Sequence, residues 1–201
     1  MWSPAHQIIA LALFALCVSP LGFAAAAQSS SGTSVACTDE GSHEFDFWIG
    51  HWRIEQRILQ QDGSWREFAA ANTISKSPDA CVVVEHWSGD VLFFWDGMQT
   101  PENIWGVSVR AFDPATRSWI VYWMDKRSPK FGDGFVGRFV AGRGEFFRTL
   151  NTPDGKRTTR ITFENAPGGN VHWELASSSD GGVQWVRLWT MIMHRVTDAP
   201  N

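Results

Sequence analysis

The sequence predicts an all-β protein folded as one antiparallel up-and-down β-barrel of about ten strands. In the run WRIEQRI at 52–58, mostly apolar residues share one face of an extended chain and three charged residues share the other. Similar runs follow at short intervals, separated by turn signals such as Asp62-Gly63 and Asp113-Pro114. Beyond residue 27 no segment has a convincing helical period, apart from a turn or two around 44–49.

The predicted strands follow one another as consecutive hairpins, the first of them turned at Asp62-Gly63. Consecutive hairpins favour a closed barrel, because closure removes the exposed edges that an open sheet would present. A β-sandwich is the alternative. After the first strand, the predicted strands are 65–75, 81–88, 91–95, 104–112, 118–125, 134–140, 145–150, 158–164, 171–177 and 183–196.

The first 27 residues are typical of a secretory signal peptide. An apolar run at 8–18 is followed by Ser19-Pro20 and four alanines at 24–27. This run is too short to span a bilayer, and no later segment approaches about 18 uninterrupted apolar residues. We therefore expect export, to the periplasm or outside the cell, with no membrane span after cleavage. No Lys or Arg precedes the apolar run, so retention as an anchor is the alternative.

The remaining chain is expected to contain one domain. We predict a flexible linker over 28–43, the barrel over 44–197 and a C-terminal tail over 198–201. Seventeen Lys and Arg stand against 21 Asp and Glu, giving a net charge of −4 with no basic block, which argues against nucleic-acid binding. Cys37 and Cys81 follow the leader, and export favours a disulfide between them over two unpaired thiols.

Tryptophan content predicts how the barrel interior is used. Eleven of the 12 tryptophans follow the leader, and most lie in predicted strands. For any single tryptophan, core filling is the simpler explanation. Taken together they favour a wider barrel, because small barrels fill with aliphatic side chains whereas wider ones leave a cavity for one ligand. We expect an aromatic-walled cavity that suits a flat, apolar guest.

Polar residues complete the predicted site. Gln56, Glu85, Arg160 and Glu174 are expected to face inward, and Arg160 and Glu174 are expected to pair across neighbouring strands. Such groups could be purely structural, could orient a ligand, or could transfer protons. The candidate ligand-binding residues are Trp52, Gln56, Glu85, Trp87, Trp105, Trp123, Arg160, Trp173, Glu174 and Trp189.

The segment FWIGHW at 47–52 leads into the first strand. It resembles the Gly-x-Trp signature of the calycin superfamily, which includes the lipocalins and fatty-acid-binding proteins. This resemblance implies a calycin-like barrel in which Gly50 and Trp52 close one end. It also implies that an arginine of the last strand, Arg195 or Arg187, packs against Trp52, with Arg195 as our choice.

A second resemblance covers nearly the whole predicted domain, from Glu44 to Val196. The segments HEFDFWIGHW, CVVVEHWSG, VRAFDPATRSW, VYWMD and ASSSDGGVQW occur in this order. They are similar to the motifs of a family of exported, largely bacterial domains of unknown function. The resemblance implies a fold and no established activity.

The opening also resembles that of the nitrobindins, haem-carrying barrels that ligate iron through a histidine near the C-terminal end. His194 would take that role, with Met191 and Met193 packed around the porphyrin. Strand alternation places His194 on the face opposite Trp189, Met191 and Met193, so an inward Trp189 turns His194 outward. We predict no cofactor, with haem as the alternative.

Other catalytic patterns are absent from the sequence. GDGFVG at 132–137 matches the dinucleotide-binding fingerprint by letter, but the helix that should follow it is missing. The histidines are scattered without metal-ligand spacing, so no metal is expected, and no GxSxG motif occurs.

Three functional hypotheses follow from these patterns. The leading one is an exported module that binds a small apolar or aromatic molecule. The second is a cyclase or isomerase that uses Glu85 or Arg160 in the cavity, and the third is a haem carrier. An exposed aromatic surface for a partner is a further alternative.

Overall fold

A computed structural model confirms the predicted fold class and describes residues 37–78 and 81–197. Ten antiparallel strands form a closed barrel. Each strand pairs with the strand that follows it in the sequence, and β1 also pairs with β10. The predicted signal peptide and the tail at 198–201 lie outside the described residues. The strands are β1 (Gly50–Leu59), β2 (Trp65–Lys76), β3 (Val82–Val91), β4 (Glu102–Asp113), β5 (Ser118–Asp125), β6 (Phe135–Val140), β7 (Arg143–Thr152), β8 (Gly155–Asn165), β9 (Val171–Ser178) and β10 (Val186–Arg195).

The helical content of the described residues consists of short 3-10 turns. These turns are Glu40–His43, Asp46–Trp48, Phe94–Asp96 and Pro167–Gly169. Within residues 37–78 and 81–197, no helix has the length and apolar character needed to cross a membrane.

The predicted separate strand at 91–95 is wrong. β3 continues through Ser88-Gly89-Asp90 to Val91, and the chain then enters the 3-10 turn Phe94–Asp96. Ser88-Gly89-Asp90 has the composition of a turn, but Gly89 pairs with β2 and β4. A Cβ atom at Gly89 would lie 2.4 Å from the Cβ of Ala70, so glycine here permits close strand contact rather than a turn.

One end of the barrel is closed by residues 37–49, which we call the end cap. The cap includes residues 37–43 of the predicted linker, and its two 3-10 turns place Phe45 and Trp48 in full burial. The Phe45 ring makes edge contacts with Trp119 and Phe139 at centroid distances of 5.0 and 4.9 Å. Burial of these rings drives the cap onto the barrel end.

Gly50, Trp52 and Arg195 meet where the cap enters β1. The guanidinium of Arg195 lies 4.2 Å from the centroid of the Trp52 ring and donates to the carbonyls of Ile49 and Phe47 at 2.7 and 2.6 Å. Gly50 has a φ of +134°, and a Cβ atom there would lie 2.6 Å from Nη1 of Arg195. The positive φ therefore favours glycine, and a larger residue would also displace the Arg195 side chain.

A disulfide joins Cys37 of the end cap to Cys81, the residue before β3, and closes a sequence separation of 44 residues. Hydrogen bonds also hold the start of the cap to the barrel: Nη1 of Arg117 donates to Oδ2 of Asp39 at 2.6 Å, and Nε1 of Trp119 donates to the carbonyl of Gly41 at 3.1 Å. The Ser42 hydroxyl, fully buried, donates to the carbonyls of Cys37 and Asp39. The disulfide adds a covalent connection between the start of the cap and the barrel wall to these noncovalent contacts.

Replacing both cysteines, Cys37→Ser with Cys81→Ser, is expected to lower the free energy of unfolding by about 3 to 4 kcal/mol, because the unfolded chain regains the freedom of a long loop. Urea denaturation of the oxidised protein and the variant measures this difference. Reduction of the unmutated protein should produce a similar loss, and equal midpoints before and after reduction would contradict the prediction.

Gly50→Ala is expected to lower the free energy of unfolding by about 1 to 3 kcal/mol, because the new methyl group strains the backbone and displaces Arg195. Gly63→Ala is the matched control, since Gly63 also has a positive φ but no atom lies within 4 Å of its added Cβ. Chemical denaturation should show a larger loss for Gly50→Ala. Equal losses would mean that the contact with Arg195 adds nothing.

Candidate functional site

The barrel lumen contains a cavity of about 180 Å³. Trp48 of the end cap borders it on one side, and Phe93 and Trp95, which follow β3, border it toward the opposite end of the barrel. Most of its wall is aromatic or aliphatic, with Glu85, Ser108 and three arginines as the polar and charged members. The cavity is therefore an apolar chamber with a few polar groups in its wall.

Four tryptophans from four strands form much of the wall: Trp87, Trp123, Trp173 and Trp189. Each lies on the inward face of its strand. Their rings meet edge to face, with centroid distances of 5.7 Å between Trp87 and Trp189 and 5.0 Å between Trp173 and Trp189. The structure thus brings these four predicted site residues together around one space.

Hydrogen bonds fix two of these rings. Nε1 of Trp189 donates to Oε1 of Gln56 at 2.7 Å, and Nε2 of Gln56 donates to the carbonyl of Asp90 at 2.8 Å. Nε1 of Trp123 donates to Oδ2 of Asp125 at 2.9 Å. Gln56, buried behind the wall, therefore positions Trp189 rather than lining the cavity.

Glu85 anchors a buried charged network beside the cavity. Its carboxylate accepts hydrogen bonds from Nδ2 of Asn72 at 2.7 Å, from the hydroxyl of Ser108 at 2.6 Å and from Nη2 of Arg110 at 3.2 Å. Nη1 of Arg110 donates to the same Ser108 hydroxyl at 2.6 Å. The network satisfies both oxygens of a carboxylate that is only 5% exposed.

Arg110 is the central cation of the lumen. Its guanidinium lies 3.8 Å from the centroid of the Trp48 ring, and only 2% of the residue is exposed. Burial lowers the pKa of Arg110 from 12.5 to about 10, with the Glu85 carboxylate opposing the shift. Because about 10 lies well above neutrality, Arg110 remains charged at neutral pH, and Glu85 and the face of Trp48 compensate that charge.

Sequence reasoning missed Arg110 and misplaced Trp105, and both errors have one cause. Trp105, Val107 and Val109 share a face of β4, and this apolar face is the outer one. Trp105 is 69% exposed, so its prediction as a cavity residue is wrong. The inward face carries Ser108 and Arg110, and its buried neighbours Ile104 and Phe112 are the signal that identifies it.

The inward placement of Arg160 and Glu174 is also wrong. Ile161 takes the inward position on β8, and alternation turns Arg160 to the outer surface. The two residues do pair, with Nη2 of Arg160 3.5 Å from Oε1 of Glu174, but they do so outside the barrel. There the guanidinium lies 4.5 Å from the centroid of the Trp185 ring.

His194 lies on the outer face of β10. Its Nε2 is 3.4 Å from Oε1 of Glu55, whereas Trp189, Met191 and Met193 line the cavity. No histidine among the described residues lines the cavity, and 180 Å³ is below the 300 Å³ or more of sites for drug-sized ligands. These residues do not fit a haem held in the lumen. Across the described ranges, no three His, Cys, Asp or Glu side chains group as metal ligands would.

Arg127 closes part of the end opposite the cap. Its Nη2 lies 2.7 Å from Oδ2 of Asp125, its Nη1 lies 2.9 Å from Oδ2 of Asp96, and its guanidinium covers the Phe93 ring. Burial alone would raise the pKa of Asp125, but hydrogen bonds from Arg127 and Trp123 outweigh it, and the pKa is lowered. This carboxylate is therefore ionised at neutral pH and holds Arg127 across the opening.

The protein is a closed ten-stranded antiparallel β-barrel with a cavity in its lumen. It is similar to the crystal structure of Rv2717c from M. tuberculosis, with a TM-score of 0.50 and 8% identity over 79% of this chain and 99% of that chain. The S-type phycobiliprotein lyase CPES from Guillardia theta matches with a TM-score of 0.38 and 11% identity over 77% of this chain and 92% of that chain. At these identities the first likeness shows the fold alone, and the second is too weak to support an argument.

No protein-family model matches the chain, and no curated protein matches it either. The resemblance to the exported domain family therefore stays a prediction.

Glu85→Leu is expected to lower the free energy of unfolding by about 3 to 5 kcal/mol, because it leaves Arg110 charged and buried without its carboxylate. Adding Arg110→Met should recover much of this loss, since an apolar pair of similar volume removes the unpaired charge. Chemical denaturation of both variants measures the difference. A double variant as unstable as the single one would show that charge compensation is not the reason.

Proposed function

We propose that the protein binds one small apolar or aromatic molecule in the lumen of its barrel. The observation that carries this proposal is the 180 Å³ cavity lined by six tryptophans, four of which lie on strands. For scale, an engineered apolar cavity of about 150 Å³ in another protein holds benzene. The volume and the flat walls therefore favour a guest about the size of one aromatic ring.

The rigidity of the wall supports a binding role. Gln56 and Asp125 hold the indoles of Trp189 and Trp123, as described above, so the wall is ordered before a guest arrives. A preformed cavity avoids the cost of ordering side chains on binding. The guest then gains the contacts of the rings at little cost in conformational entropy.

Catalysis in the cavity is the second candidate function, and Glu85 is the observation that favours it. Glu85 is the only carboxylate among the described residues that line the cavity, and Arg160 no longer supports an enzyme because it lies outside. Three hydrogen bonds already engage Glu85, which favours its role as the partner of Arg110. A cyclase or isomerase activity that survives Glu85→Gln would exclude Glu85 as its acid or base.

We also infer that the protein works in an oxidising compartment, the periplasm or the cell exterior. The disulfide between Cys37 and Cys81 supports this inference, because such bonds persist where thiols are not kept reduced. Fractionation of the producing cells, followed by immunodetection, tests it. Recovery of the protein with its thiols reduced, in the cytoplasmic fraction, would contradict it.

Val121→Trp is expected to abolish the binding of toluene, used as a neutral probe. Val121 lines the cavity and is buried, so the larger indole should occupy the space of the guest. Calorimetric titration should show saturable binding by the unmutated protein and at least a tenfold loss in the variant. Trp105→Phe is the control, because Trp105 lies outside and its change should leave toluene affinity unaltered.

Thermal unfolding of each variant must show that the barrel is intact. Toluene affinity unchanged in folded Val121→Trp would contradict the proposed function, as would failure of the unmutated protein to bind any single-ring aromatic probe.

A further inference from the structure

Three arginines line the cavity, and two of them have carboxylate partners. Arg110 pairs with Glu85, and Arg127 pairs with Asp125 and Asp96. Arg148 is the third, and no carboxylate oxygen in residues 37–78 and 81–197 lies within the 4.0 Å of an ion pair with it. The cavity wall therefore holds one positive charge without a direct counter-charge.

Arg148 is held in place by weak contacts only. Its guanidinium lies 4.4 Å from the centroid of the Phe135 ring, and its Nη1 donates to the carbonyl of Asp133 over a long 3.4 Å. Its Nε is buried and has no hydrogen-bond partner. Burial lowers the pKa of Arg148, and the charge of the Asp133 carboxylate opposes the shift. A guanidinium in this state has donors available for an anion.

Two other buried N–H groups of the cavity wall also favour a guest that accepts hydrogen bonds. Nε of Arg110 and Nε1 of Trp87 are also buried without partners, and both are N–H donors. No residue of the cavity wall, within the described part of the chain, leaves a buried acceptor atom unpaired. Buried donors without partners are costly, so the complementary guest is one that supplies acceptor oxygens.

We propose that the guest is a single-ring aromatic carboxylate whose ring packs among the tryptophans and whose carboxylate binds Arg148. This inference rests on the proposed function, because it names the chemical class of the molecule in the same cavity. The planar guanidinium matches a carboxylate in a two-point geometry. A carboxylate also neutralises the one cavity charge that the protein leaves without a direct partner. The 180 Å³ volume limits the apolar part to about one ring.

The test compares benzoate with benzamide, its neutral isostere, and with toluene by calorimetric titration of the full protein. Benzoate is expected to bind about 10- to 100-fold more tightly than benzamide, because only benzoate offers a charge to Arg148. In Arg148→Met the affinity for benzoate should fall by a similar factor, while the affinity for toluene falls much less. Arg148→Lys should retain part of the benzoate affinity, since it keeps the charge and loses the planar fork.

Arg138→Met is the matched control, because it removes the same charge from an exposed position on the outer face of β6. Its benzoate affinity should equal that of the unmutated protein. Thermal unfolding of Arg148→Met and Arg148→Lys identifies any variant that has lost the fold, and the comparison of benzoate with benzamide in the unmutated protein needs no variant at all.

The outcomes separate this inference from the proposed function. Toluene binding with no preference for benzoate over benzamide would contradict the inference that the guest carries a carboxylate. It would leave the proposed binding of an aromatic guest unaffected. Equal losses of benzoate affinity in Arg148→Met and Arg138→Met would overturn the assignment of Arg148. Failure of toluene, benzamide and benzoate alike to bind would overturn both proposals.

Discussion

The rest of the structure depends on the buried ion pair between Arg110 and Glu85. Trp48 brings the end cap onto the guanidinium, Asn72 reaches the carboxylate from β2, and Ser108 bridges both partners from β4. One charge thus connects the cap to three strands. It also marks the floor of the cavity, because the lumen on the cap side of Arg110 is filled by the aromatic residues around Phe45.

The cavity persists because polar residues outside its lining hold the tryptophans of its wall by hydrogen bonds. Gln56 spans from the Trp189 indole to the backbone at the end of β3, and Asp125 holds Trp123 while it also pairs with Arg127. Ring contacts and a hydrogen bond from Nε1 together hold each of these indoles in place, so the side chains do not move into the cavity. The same polar residues therefore maintain the shape of the chamber without lying in it.

Sequence reasoning predicted the barrel because its two signals, period-two alternation and turn residues, are local. It predicted the wrong face for Trp105 because both faces of β4 carry large apolar residues, so hydrophobicity alone does not orient that strand. Arg160 was misplaced for a related reason: it finds its partners on the outer surface, beside Trp185, and such a pair resembles a buried one in sequence. Ile104 and Phe112 share the face of Arg110 and could have identified it as inward, but its contact with Trp48 could not be predicted from the sequence.

The disulfide between Cys37 and Cys81 bears on how the lumen exchanges its contents. It fastens the start of the cap to the wall, and Arg195 fastens the far end of the cap through the carbonyls of Ile49 and Phe47. Because both ends of the cap are attached to the barrel, the cap keeps that end of the barrel closed. A guest of the kind proposed above would therefore enter from the opposite side, where Arg127 pairs with Asp125 and Asp96.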